Sequence, residues 1–155
     1  MQRRSWLALA LLAAAAPVLA HHGWGSFDQN LPVYIEGRVK RVDWRNPHVE
    51  AVIEVDATLA LPADLAQRKF PEQSQAIDAT AIAAKTRLPG SPAGDWEIEF
   101  APLSRMQAWE IAPLKVDDRI GLIGYTGVPG KPKLMRAEYL FVGGKAYGLR
   151  SSPVR

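Results

Sequence analysis

The chain holds three histidines, and two are adjacent: His21 and His22 follow Val18-Leu19-Ala20, and the third is His48. Val18 and Ala20 are the small residues that a signal peptidase reads, so the sequence predicts cleavage after Ala20. Cleavage gives His21 a free α-amine. An N-terminal histidine chelates a metal through that amine and its ring Nδ1. One more imidazole, from His22 or His48, completes a T-shaped set of three nitrogens. Such a set suits Cu(II), which prefers tetragonal geometry and stands high in the Irving–Williams order, with Zn(II) as the second choice. An α-amine titrates near about 7.8 and an imidazole near about 6.5, so both give up their protons to a metal at little cost near neutral pH. Asp28 offers an oxygen ligand. Met106 and Met135 offer soft ligands for Cu(I), although a methionine at helical spacing is more often core.

A second set pairs aromatics with cations and an amide: Trp44, Arg45 and Asn46 in one loop, then Tyr125 and Lys131 around another. Flat rings beside charges bind saccharides, peptides or small anions. Carboxylate pairs also occur, Glu50 with Glu54 and Glu97 with Glu99, each at a spacing that puts both on one strand face. Such pairs are usually solvated. The chain has no G-x-S-x-G, no P-loop and no H-E-x-x-H. The sequence therefore points to a binding or accessory protein, not an enzyme.

The elements that must position these residues begin with residues 1–20, "MQRRSWLALALLAAAAPVLA". Arg3 and Arg4 make a positive start, Trp6 to Ala16 an apolar run too short to span a bilayer, and Pro17 a helix break. This reads as an export leader, of the general or the twin-arginine type. It predicts a periplasmic or secreted mature chain without a transmembrane segment. The formal charge is +3, but Arg3 and Arg4 belong to the leader; without them 17 basic residues face 16 acidic ones, a net of +1. A nearly neutral exported protein is not a nucleic-acid binder. Cysteine is absent, so the core must stabilise the fold without disulfides.

Residues 21–31 read as an extended arm. In 32–44, Val33, Ile35, Gly37 and Val39 alternate with Tyr34, Glu36, Arg38 and Lys40, a strand with a bulge or bend at Gly37. Asn46-Pro47 turns the chain. From His48, Val49, Ala51, Ile53 and Val55 share an inner face, and His48 and Glu50 an outer one. Residues 57–94 read as an insertion, partly helical and partly mobile, with short helices within 62–70 and 74–87. Trp96, Ile98 and Phe100 continue the strand pattern as core. A short helix follows Pro102, and strands follow at Arg119 and Leu134. Residues 143–155, which include a tail at 151–155, read as a frayed end with room for one more strand.

This order predicts a mainly β fold for 32–150: a small OB-like Greek-key barrel of about five strands, with a short helix between strands three and four. Such barrels bind across strands two and three and the flanking loops, which is where Trp44, Arg45, Asn46, Tyr125 and Lys131 would act. The same order separates the histidines. The arm enters the first strand at one end and His48 follows its other end. A strand of ten residues is about 33 Å long, so a shared site requires the arm to fold back along the barrel.

The sequence resembles a family of small exported bacterial proteins of unknown function. The resemblance rests on His21-His22, Phe27-Asp28, Glu36-Gly37-Arg38-Val39, Trp44-Arg45-Asn46-Pro47-His48 and Trp96-Glu97-Ile98-Glu99. Insertion 57–94 is longer than in similar proteins, and Val116-Asp117-Asp118 stands where they carry Pro-Gly-Asp. In outline the chain is also similar to periplasmic OB-fold proteins. The resemblance implies export and fold but no activity. The function expected is a periplasmic binding or accessory protein that captures Cu(II) or another divalent metal through His21, His22 and His48. The alternative is an OB-type module for a small molecule, saccharide or peptide. Its partner is then a small ligand or another periplasmic protein.

Overall fold

The structure, a computed structural model, describes residues 23–154. Six strands lie among them: β1 (Val33–Asp43), β2 (His48–Val55), β3 (Gly94–Pro102), β4 (Arg119–Tyr125), β5 (Leu134–Val142) and β6 (Lys145–Gly148). Helix α1 (Ala79–Lys85) lies in the insertion and α2 (Leu103–Ala108) joins β3 to β4. The strand order is β3-β2-β1-β4-β5-β6, and a parallel β3–β5 pairing closes the first five into a barrel. The fold is thus the expected small β-barrel with a short helix after its third strand. None of the described helices is long and apolar enough to cross a membrane.

Alternation builds the interior. Ile35, Ile53, Trp96, Ile98, Phe100, Ile120, Leu122 and Met135 point inward and are 1% exposed or less. Met106 of α2 joins them from outside the strands, so Met106 and Met135 both lie in the core. Trp96 is core, as expected, and its indole N–H donates to the Pro92 carbonyl at 2.7 Å.

Gly37 serves a purpose other than a bulge. The irregularity in β1 falls later, between Val39 and Arg41. β1 pairs with β4 over Val33–Arg38 and with β2 over Gly37–Asp43, so both ladders meet at Gly37 and Arg38. There the β2 backbone comes so close that an added Cβ would lie 2.8 Å from the Glu54 carbonyl carbon and nearer still to its oxygen.

The barrel also has an apolar outer face, and the insertion covers it. Tyr34, Ile123 and Tyr139 point outward yet are almost completely buried under Leu65, Phe70, Ile77 and Ile82. The Phe70 ring meets Tyr139 edge-on at 4.7 Å. A surface of this size left open to water would invite aggregation, so residues 57–94 form a second layer of the fold. The expected helix within 62–70 is a single 3-10 turn, Leu65–Gln67. The expected helix within 74–87 is α1, whose first turn is capped by the Asp78 carboxylate accepting from the Ala81 amide at 2.9 Å.

The end of the chain is tied down where fraying was expected. After β6, the Ser151 amide donates to Gln73 Oε1 (2.9 Å), its hydroxyl accepts from the Gln75 amide (2.8 Å) and its carbonyl accepts from Trp109 Nε1 (2.9 Å). The last residues thereby fasten the insertion to the turn after α2.

Candidate functional site

β2 carries His48 and Glu50 on its outer face, flanking the buried Val49. Across the β2–β3 ladder, His48 lies opposite Pro102 and Glu50 opposite Glu99. Across the closing β3–β5 ladder, Glu99 lies opposite Arg136. Glu50, Glu99 and Arg136 thus form a row over three neighbouring strands, each step close to the usual 4.8 Å spacing. The Arg136 Nη1 to Glu99 Oε2 distance is 3.4 Å, and both side chains are less than a tenth exposed. Burial draws the Arg136 guanidinium below its ordinary pKa, against the pull of the Glu99 charge.

The N-terminal arm meets this row at Arg136. Trp24 opens a 3-10 turn (Trp24–Ser26), and its ring receives two guanidinium groups, Arg150 at 3.6 Å and Arg136 at 5.1 Å from its centroid. Its edge meets Tyr125 at 6.3 Å. Phe27 is buried with Tyr125, Val128 and Leu134, and the Asp28 amide donates to the Thr126 carbonyl at 2.8 Å. The segment read as an extended arm is docked on the barrel from Trp24 onward. Asp28, the possible oxygen ligand, spends one carboxylate oxygen on the Asn30 amide at 3.0 Å, closing a local turn.

Arg150 holds the arm in place. Its Nε and Nη2 donate to Glu138 Oε2 at 2.8 and 2.6 Å, and its Nη1 donates to Gln29 Oε1 at 2.9 Å. Glu138 has no exposure, and burial raises its pKa even though Arg150 and Arg136 oppose that shift. The backbone explains why a carboxylate sits there. Ile123 pairs with Tyr139 and Gly124 with Ala137, so Glu138 is the extra residue of a β-bulge. A bulge re-aims one side chain out of the strand's alternation. Burial, reinforced by the Glu138 charge, lifts the nearby Tyr125 hydroxyl to about 12.

His21 and His22 lie outside the described residues. The structure nevertheless changes the distance argument about His48. Along β1 the arm and His48 are indeed at opposite ends, since Val33 faces Gly124 while Asp43 faces Glu50. Barrel closure supplies a second path, around the circumference through β5 and β3. Trp24 rests on Arg136, Arg136 bonds Glu99, and Glu99 faces Glu50, two residues from His48. Among the described residues alone, no three His, Asp or Glu side chains converge as a complete metal site.

The second set is divided by the same geometry. Trp44 is half-buried against the core, Arg45 pairs with Asp43 at 2.7 Å, and Asn46 precedes Pro47 through a cis peptide; all three follow the end of β1. Tyr125 lies beyond Gly124, next to the start of β1, and is 2% exposed beneath Trp24. Lys131 lies in the β4–β5 loop, 3.7 Å from Glu97 Oε2. The five residues do not share one mouth of the barrel.

Residues 8–62 match the model of a family of unknown function, DUF6152. That span takes in the His-His pair, the arm, β1, β2 and the Trp44–His48 motif. The Trp96–Glu99 element and the rest of the barrel lie outside it. No curated protein and no solved structure matches the chain. Sequence reading missed Trp24, Arg136, Glu138 and Arg150. A signal for two of them was present: Arg136 and Glu138 interrupt "LMRAEYLFV", a strand otherwise apolar enough to be buried on both faces.

Proposed function

We propose that the protein is exported, is trimmed after Ala20, and works in the periplasm or outside the cell as a metal-binding accessory protein. Its processed N-terminus takes up a divalent ion, Cu(II) before Zn(II), between the start of the arm and the outer face of β2. The observation that supports this most is the seat of Trp24. It fixes the chain three residues after His21, on the row that runs through Glu99 and Glu50 toward His48. Two extended residues reach about 7 Å, so His22 and His21 need little further chain to approach that row. The α-amine and His21 Nδ1 would supply two nitrogens and His48 the third, with carboxylates nearby to offset the ion's charge. The reading is one of capture, not catalysis.

The test is a Cu(II) titration followed by spin resonance. A chain starting at His21 is expected to bind at least tenfold more tightly than one that keeps Ala20, because the added residue converts the amine into an amide. His48→Ala in the trimmed chain should weaken binding and alter the copper hyperfine pattern. Equal affinity for both N-termini would sink the amine-chelate reading. An unchanged spectrum for His48→Ala would remove His48 from the site.

A further inference from the structure

A cleft of about 610 Å³ opens between the insertion and the outer faces of β1, β4 and the β5–β6 hairpin. None of its walls comes from β2 or β3, so it is separate from the His48 face. Its size lies within the usual range for small-molecule sites. The half-buried ring of Phe141 lines the cleft, with the buried Tyr34 and Gly121 at its base. Gly121 has no side chain to crowd it, and a Cβ there would press to 2.9 Å from the Tyr34 hydroxyl.

The charge in the cleft is unbalanced. Its lining includes the cations Arg68, Lys69, Arg119 and Lys145 against the carboxylates of Glu36 and Asp64. Both carboxylates are already engaged. Glu36 accepts from the Tyr34 hydroxyl at 2.6 Å and from Arg119 Nε at 2.5 Å. Asp64 accepts from Arg68 Nε and Nη2, both at 3.1 Å. Arg68 also lies over Phe141, 4.9 Å from the ring centroid. Lys69, from the insertion, and Lys145, from the start of β6, have no ion-pair partner among the described residues. Gly143 and Gly144, which also line the cleft, make the tight β5–β6 turn at φ 58° and 74°, with nothing within 4 Å of where their side chains would be.

We propose that this cleft binds a small organic anion, a carboxylate or phosphate ester with a flat apolar portion. The apolar portion lies against Phe141, and Lys69 and Lys145 meet the anionic group. Neither component alone fills the site. Free inorganic phosphate has nothing to place on the Phe141 ring, and a neutral aromatic leaves the two ammonium groups without a counter-charge.

Phenyl phosphate is a suitable probe, titrated into ¹⁵N-labelled, metal-free protein and followed by amide chemical shifts. Saturable shifts are expected at Gly121, Gly143 and Gly144. Phenol and inorganic phosphate should each bind at least tenfold more weakly. The double variant Lys69→Ala/Lys145→Ala should also lose at least tenfold in affinity while keeping the spectrum of a folded protein, since both side chains are exposed. Absence of saturable shifts at those three glycines would overturn the proposal. So would unchanged affinity in the double variant, or phenol binding as tightly as phenyl phosphate. Metal is absent from the experiment, so its outcome is independent of the N-terminal site.

Discussion

Arg150→Ala is expected to destabilise the protein by about 3–5 kcal/mol at neutral pH, the usual result of removing one partner from a buried ion pair. The reason lies in what remains. Glu138 is fully buried, and its Oε2 accepts both hydrogen bonds from Arg150. Its other oxygen has no hydrogen-bond partner among the described residues. Without Arg150 the carboxylate keeps only the more distant charge of Arg136. Trp24 loses its closer guanidinium and Gln29 Oε1 its partner, so the hold on the arm is weakened to the Phe27 and Asp28 contacts.

The pH dependence gives a second reading of the same variant. Burial raises the folded-state pKa of Glu138, so the native state holds that proton more tightly than the unfolded chain does. The unfavourable contribution of this group is therefore full above the folded pKa. It is relieved as pH falls through that value toward the unfolded one, near about 4.3. Removing Arg150 pushes the folded pKa higher still. The deficit of Arg150→Ala, measured by urea unfolding, should shrink between pH 7 and about pH 4.5. The double variant Arg150→Met/Glu138→Gln should recover more than half of the loss. A deficit below about 1 kcal/mol at pH 7, or one that grows on acidification, would show that the pair does not hold this face together.

Gly37→Ala is expected to be nearly as damaging, at about 3 kcal/mol, the upper end of the range for overpacking a tight site. Most small-to-large changes are eased by a side chain moving aside. Here the obstruction is the Glu54 peptide, itself fixed in the β1–β2 ladder opposite Arg38. A methyl group therefore parts the strands where β1 passes from its β4 partner to its β2 partner. Hydrogen exchange should show the loss concentrated at Arg38, Val39 and Glu54. A variant with wild-type unfolding midpoint and unchanged exchange there would mean that the strands separate at no cost.

Much of the barrel was legible because its strands obey a period of two. Val49, Ala51, Ile53 and Val55 against His48 and Glu50 define β2 without reference to anything distant, and Trp96, Ile98 and Phe100 do the same for β3. The insertion was harder to read. Its apolar residues, Leu65, Phe70, Ile77 and Ile82, follow no single period, because they cover a curved outer face instead of lining up on one helix. Gly37 stands out in the sequence as a special position, read there as a bulge or bend. A close approach by another backbone leaves the same mark in a sequence.

The candidate site was only half legible for a similar reason. His21, His22 and His48 stand out by rarity, whereas the connection between the arm and β2 depends on strands β3 and β5 becoming neighbours. That pairing joins Glu99 to Arg136, 37 positions apart. No local pattern announces it. Read along β1, the arm and His48 are a strand's length apart; around the barrel, they are separated by a short row of side chains.

The clamp on Trp24 also fixes an order of events. Gln29 and Arg150 are 121 positions apart, near the two ends of the chain. A polypeptide that emerges N-terminus first displays its opening residues long before the guanidinium that seats them exists. The arm would settle onto the finished barrel only afterwards, once the last strand and its trailing arginine had arrived.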